Sequence, residues 1–386
     1  MKKRGKSKVS QLLSCMGACA CLFGLSGCGG DQVLVEDINL ALIYAMDRTS
    51  DNQILVYEMS PIFDKDAKKK YAVYGAKAHT VRQAKEVFNS VAQGQVVVGK
   101  VQVLLFGEAL LQEGIVPHLD VSFRDSKNVA NMVMAGVKGS MSDLVNSNFP
   151  DKSILPRYIT DSLQNSAKLN QGLETTLQEF HTLLYDKGIT PAIVEVKKDR
   201  NGIVVLGAAL LDKAGRQLLS LNRRENLYLL MLQQKATTPI SYTLSVPTAS
   251  FSQGQSSDKA KKEGFVTVNI HQVNPKIETS YQDNQFVFTV HLEMDVRVIE
   301  RTFPIDLEKE KDKLAHFIGN KMKAEMETLI KKVQQKKLDP FGFGWYARAY
   351  QYPHWRKIQD QWPAEFSKAR VNILPTINIE SRGVIQ

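Results

Sequence analysis

The residues with the clearest chemistry stand near the amino terminus, where Leu25-Ser26-Gly27-Cys28 closes an apolar run. A cysteine thiolate is the nucleophile from which a thioether forms, so a thiol here can take up a diacylglyceryl group. Small residues before the cysteine let the extended chain enter a peptidase. Leu25, Ser26 and Gly27 therefore read as a lipobox, and Cys28 as the acylated first residue of the mature chain. The preceding segments agree. Lys2, Lys3, Arg4, Lys6 and Lys8 form a basic stretch without acids, and Gln11 to Gly27 is mostly apolar. Together they make a secretory signal, 1–27. At about 1.5 Å per residue the apolar part spans roughly 25 Å, short for a permanent membrane helix.

The other cysteines, Cys15, Cys19 and Cys21, leave with the signal. The mature chain is then expected to hold neither a free thiol nor a disulfide, which excludes cysteine nucleophiles and cysteine-ligated metal. Several acyl chains on one terminus, palmitate among them, hold a membrane far more firmly than one myristoyl group. Cleavage also changes the charge. The whole chain carries 50 basic and 40 acidic residues for a net +10, but five basic residues go with the signal, leaving +5. That modest surplus, with no recognition helix, RNP motif or zinc finger, gives no sign of a nucleic-acid partner.

Other catalytic signatures are missing. There is no GxSxG elbow, phosphate loop, HExxH or EF-hand loop. The seven histidines, His79, His118, His181, His271, His291, His316 and His354, are not spaced as ligand pairs. No metal site and no cofactor are expected. His118, Asp120, Arg124 and Asp125 read as a solvated loop with an ion pair rather than a catalytic set. Phe343, Trp345, Trp355 and Trp362 lie in a segment that holds all three tryptophans. They read either as a partner platform or as the core that closes a long helix onto its sheet, with the core reading preferred.

The elements that would position these residues follow from periodicity. Residues 38–46 and 53–60 flank a turn-rich DRTSDN and predict a hairpin. Residues 80–94 predict a helix with Thr80 as N-cap and Gly94 as stop. A buried strand is expected at 100–107, and another strand at 128–136. Helices are expected at 159–172 and at 175–188, the second ended by Gly188. A meander at 191–198, 203–211 and 216–222 precedes a helix at 223–234 and a strand at 240–246. Residues 247–264 are polar and suit a linker or long loop. In 286–298 every even position is apolar and 289 to 297 carry Thr, His, Glu, Asp and Arg at the odd ones, a strand with one dry face. Its partner is expected at 266–274. From 306 to 337, apolar residues recur at spacings of three and four, a long amphipathic helix. Its Lys- and Glu-rich face reads as solvated rather than as a membrane face. Pro375 places the closing strand at an edge or a bulge.

On residues alone this is a lipid-anchored multidomain protein without a catalytic set. The chain also resembles the Ger(x)C family, the lipoprotein C subunits of nutrient germinant receptors in endospore-forming bacteria. The resemblance rests on Cys28, then the block GKVQVLLFGEALLQEGIVPHLDVSFRD from residue 99, then VVLGAALLDKAGRQLLSLNRRENLYLLML from residue 204. It is closed by DPFGFG at 339–344, His354-Trp355, Trp362 and a final strand ending at Gly383. After the cysteine, only Glu36 and Asp37 echo the acidic stretch common in that family.

The resemblance implies an α+β fold of three domains, each a mostly antiparallel sheet flanked by helices. Their bounds are expected at 28–165, 166–246 and 247–386. It implies no enzymatic activity, and a place on the outer face of the inner spore membrane beside a multi-spanning A subunit and a transporter-like B subunit. The alternative is a lipid-anchored solute-binding or cell-wall-associated protein of another class. Adjacent genes for two multi-spanning proteins would favour the first reading, and an ABC permease the second.

Overall fold

A computed structural model describes residues 38–124, 129–251 and 263–380. The lipobox Leu25, Ser26, Gly27 and Cys28, as well as Asp125 and most of 247–264, lie outside the described residues.

The chain enters through β1 (Ile38–Leu40) and the hairpin β2 (Ile43–Arg48) and β3 (Ile54–Pro61). It continues through β4 (Tyr71–Ala78), α1 (Val81–Val91), β5 (Gln95–Val97), β6 (Val103–Gly107) and α2 (Glu108–Glu113). A 3-10 turn at Val116–Leu119 leads to α3 (Asp120–Arg124), β7 (Val133–Lys138), α4 (Met141–Val145), α5 (Leu155–Lys168) and α6 (Leu177–Tyr185). Then come the meander β8 (Ala192–Asp199), β9 (Gly202–Leu211) and β10 (Gln217–Asn222), and α7 (Arg223–Leu232). One eight-stranded sheet collects most of these strands in the order β10-β9-β8-β7-β6-β2-β3-β4.

The second sheet has the order β11-β12-β13-β14, from β11 (Ile240–Pro247), β12 (Glu263–Gln282), β13 (Gln285–Arg301) and β14 (Arg370–Ile379). Between β13 and β14 run α8 (Leu307–Gln335), α9 (Phe343–Tyr350), α10 (Tyr352–Ile358) and α11 (Trp362–Phe366).

The α+β class stands, and the sheets divide the chain in their own way. β7 pairs with β8, so one sheet runs across the boundary expected at 165/166. β2, β6, β7 and β8 are parallel neighbours, inside a sheet whose other four pairings are antiparallel, as expected. The parallel run comes from the crossovers: helices α2–α3 and α4–α6 carry the chain back, so each strand restarts in the same direction. Such strands are covered on both faces and are apolar throughout, as VLLFG at 103–107 is. Phe88, Leu110, Leu111 and Phe180 pack on one face, against Tyr44, Val56, Phe106 and Met134. Leu144, Leu155, Ile159 and Leu163 pack on the other, against Ile43, Ala45, Leu105 and Ala135. Each large apolar side chain so buried stabilises by about 1.5–3 kcal/mol.

The C-terminal sheet is dry on one face. Phe286, Phe288, Val290, Leu292, Met294 and Val296 are buried against Leu314, Ile318, Met322, Met326, Leu329 and Val333 of α8. Asp306 caps that helix, its Oδ1 accepting from the Glu308 and Lys309 amides. β14 is an edge strand with Pro375 opposite Leu292, and it pairs parallel to β13. Helix α7 lies between the sheets. Leu227 to Leu232 are all buried, as a helix covered on every side requires. Its start is a capping box: the Glu225 amide donates to Asn222 Oδ1 at 3.0 Å and the Asn222 amide to Glu225 Oε2 at 2.8 Å.

Candidate functional site at the junction of the two sheets

The DPFGFG segment between α8 and α9 builds the most elaborate polar arrangement among the described residues. Asp339 is 1 % exposed. Its Oδ1 accepts from the amides of Gly342 at 3.0 Å and Phe343 at 3.2 Å, and its Oδ2 from the Gly344 amide and Trp362 Nε1, both at 2.9 Å. Burial lifts this carboxyl to about 6, and the four N–H donors oppose the rise. At neutral pH the group is ionised with its donors in place. The loop can fold back on Asp339 because Gly342 takes φ 81°, a left-handed value that glycine adopts at no steric cost.

The same segment is held by the larger sheet's side of the molecule. The Thr190 amide donates to the Asp339 carbonyl at 2.7 Å, and the Asp339 amide donates to Thr190 Oγ1 at 2.9 Å. A Cβ on Gly344 would stand 2.4 Å from the Gly188 Cα, so only two glycines allow this approach. Gly188 was expected as a helix stop. Instead α6 ends at Tyr185, and Gly188 serves the contact with Gly344. Lys213 terminates that helix, its Nζ donating to the carbonyls of Leu183, Asp186 and Ile189 at 2.7, 2.6 and 3.1 Å, a cation at a helix C-terminus. Gln233 Nε2 donates to the Pro340 carbonyl at 2.6 Å. Ion pairs Arg348–Asp186 at 3.3 Å and Lys187–Asp360 at 2.7 Å edge the junction.

The aromatic residues singled out in the sequence fall on both sides of a line. Phe343, Trp355 and Trp362 are 0, 2 and 1 % exposed and belong to the core of the C-terminal sheet. Trp362 meets Phe286 edge-on at 5.4 Å and Trp355 at 5.1 Å. Trp345 is half-buried and lines a junction cavity of about 260 Å³ with Leu183, Ile189 and Gln233. The Lys235–Glu179 pair, at 2.5 Å, stands among the other lining residues.

A second buried acid, Glu58, was not singled out from the sequence. It is 0 % exposed on β3, opposite Tyr44 and Tyr74. It accepts from the Ser60 hydroxyl and, at 3.4 Å, from Asn39 Nδ2. Burial raises its carboxyl to about 7, against the pull of the Ser60 bond. The signal was one acid inside the apolar run ILVYEMS. Asp339 also had a signal, an acid three residues before a glycine that must fold back, the pattern of an Asx-type turn.

Of the other candidates, His118, Asp120 and Arg124 line one surface cavity of about 420 Å³ with His79 and Arg82. Asp120 and Arg124 form an exposed ion pair at 2.6 Å, and His118 lies on the preceding turn. His291 lies on the wet face of β13, 3.6 Å from Glu278. Among the described residues, no three His, Cys, Asp or Glu are grouped to hold a metal ion. No described helix is long and apolar enough to cross a membrane.

Asp339 accepts from two N–H donors of the protein itself at each of Oδ1 and Oδ2. It is an anchor, and the junction around it fixes two sheets relative to each other. The class so defined is a two-sheet α+β protein. The comparisons agree. Residues 31–198 match the family model for the spore germination protein N-terminal domain, and residues 206–383 the model "Spore germination B3/GerAC like, C-terminal". The chain belongs to the Ger(x)C family of spore germination proteins, C subunits of germinant receptors. Residues 199–205, between the two matched regions, hold the β8–β9 turn and the start of β9, inside the larger sheet. The chain is 20% identical over 370 residues to spore germination protein GerQC of Bacillus cereus, covering 94% of this chain and 96% of that one. It is 18% identical over 383 residues to putative spore germination protein YfkR of Bacillus subtilis (strain 168), covering 94% of each. The crystal structure of the GerBC protein has a similar fold, with TM-score 0.53, 15% identity, and coverage of 87% of this chain and 96% of that one.

Proposed function

We propose that this chain is the lipid-anchored C subunit of a nutrient germinant receptor, acting through contacts with the membrane-embedded A and B subunits. Cys28 carries the diacylglyceryl group after removal of residues 1–27, and the folded part stands on the outer face of the inner spore membrane. The observation that carries this reading is the position of the lipobox. Leu25-Ser26-Gly27-Cys28 ends just before the family match begins at residue 31. Tethering raises the local concentration of the chain near its partners, so weak protein contacts suffice. A rigid junction suits that role, because partner surfaces on the two sheets keep a fixed spacing. The family has no known enzymatic role, and the buried, saturated Asp339 supports a non-catalytic reading.

The test is the Cys28→Ala chain in spores. It is expected in the soluble fraction or mislocalised, with a weakened nutrient response. Normal membrane retention with a normal response would contradict the anchor.

A further inference from the structure

The end of the larger sheet at which the chain enters carries a basic surface. Leu42 donates its amide to the Met59 carbonyl at 2.9 Å, and Ile43 is paired with Met59. The start of β2 and the finish of β3 therefore lie side by side. The β3–β4 loop leaves from that end, closed by the Ile62 amide on the Lys70 carbonyl at 2.9 Å. Lys65, Lys68, Lys69 and Lys70 of this loop are exposed, and Phe63 is 57 % exposed beside them. Tyr71 Oη donates to the Ser147 carbonyl at 2.8 Å and brings up the segment that holds Phe149, Pro150 and exposed Lys152. Between loop and segment is a cavity of about 590 Å³ lined by Lys68, Lys69, Lys70 and Lys152 with Phe149 and Pro150. Lys100 is exposed at the same end, two residues before the Gln102 amide that donates to the Leu42 carbonyl. Six lysines thus stand with three acids, Asp64, Asp66 and Asp151. The Asp66 amide donates to Asp64 Oδ1 at 2.8 Å, and the Lys70 ammonium to the Lys65 carbonyl at 2.7 Å.

The lysine-rich face of α8 is different. Lys309, Lys313, Lys321 and Lys323 each pair with an acid of α8 or its cap three or four residues away. These four charges are cancelled locally, whereas the β3–β4 loop keeps a surplus.

We propose that the β3–β4 loop and the cavity beside it dock on the headgroups of an anionic lipid bilayer, with Phe63 entering the interface. An aromatic side chain flanked by lysines has the chemistry for this, an apolar body for the acyl boundary and cations for the headgroups. The orientation rests on the reading of Cys28 as the anchor. Ten residue steps separate Cys28 from Ile38, at most about 36 Å of extended chain, so the bilayer lies within reach of this end of the sheet.

The test uses the chain from residue 29 onward, which keeps every described element and carries no acyl group. It is sedimented with phosphatidylcholine vesicles and with vesicles containing phosphatidylglycerol at about 0.1 M salt. Binding to the anionic vesicles alone is expected. The triple variant Lys68→Glu, Lys69→Glu, Lys70→Glu is expected to lower it by roughly tenfold or more, Phe63→Ala to lower it severalfold, and the α8 variant Lys321→Glu, Lys323→Glu to leave it unchanged. The single variant Lys69→Ala, at an exposed position, repeats the test without a large charge change and is expected to lower binding in the same direction. Equal binding to both vesicles, no binding, or equal loss from the α8 variant would overturn the proposal, the last because bulk charge or an acidic protein partner would then explain the surface. The result does not depend on acylation. An unmodified Cys28 would refute the anchor and leave the vesicle result standing.

Discussion

Thr190 and Asp339 hold each other by two backbone-mediated hydrogen bonds across 149 residues of sequence, one to a carbonyl and one to a hydroxyl. Thr190 precedes β8 of the larger sheet, and Asp339 follows the long helix of the smaller one. Lys213 fixes the first segment by capping three carbonyls. Four N–H donors fix the second. The two sheets are therefore joined at a point where both backbones are already rigid.

Asp339→Ala removes the acceptor for all four donors and leaves them buried. Breaking a buried charged network of this kind costs about 3–5 kcal/mol. Thr190→Val removes one neutral bond and is expected to cost about 1 kcal/mol. Denaturant melts of the two variants check the order as well as the sizes.

Gly344→Ala sets a Cβ 2.4 Å from the Gly188 Cα and 2.5 Å from its carbonyl oxygen. Neither atom belongs to a flexible side chain, so the junction must open. Faster proteolytic cutting between residues 186 and 190 is expected, with the two sheets otherwise retained. An unchanged digestion pattern would show that the junction tolerates the shift.

Phe343→Ala and Trp362→Ala are expected to cost about 3–5 kcal/mol each, because both side chains are fully buried. Trp345→Ala should cost clearly less, since its indole lines a cavity. Equal melts for all three would contradict the division between core and cavity wall.

Glu58 gives the protein a pH dependence of definite sign. Its carboxyl is raised from 4.5 to about 7 by burial, so the folded state holds a proton that the unfolded state releases earlier. The associated stability is complete below about 4.5 and is lost as pH rises through about 7. The size is roughly 3 kcal/mol. Glu58→Gln keeps the shape without titrating, so its melts from pH 5 to 8 should be flatter than those of the parent.

Much of this was legible in the sequence, and the exceptions have physical causes. The strict alternation over 286–298 announced β13 and its dry face, and spacings of three and four announced α8. Thr80 announced the start of α1. The runs 103–107 and 133–138 carry no period because both of their faces are covered, so nothing local says that they pair in parallel. One sheet runs across residues 165/166 for the same reason, since strand pairing is decided by crossovers. Gly188 looked like a helix stop because its partner, Gly344, is far away in sequence. Among the aromatic residues, composition could not separate Trp345 from Trp355 and Trp362. Only the packing of α9 to α11 on β13 does that.

The most direct measurement follows the loss of optical density of spores lacking this chain, across a panel of amino acids, sugars and bile salts. The account predicts that the response to one nutrient class disappears while calcium-dipicolinate still triggers germination. Intact responses to every nutrient, in spores that also lack any paralogous receptor subunit, would contradict it.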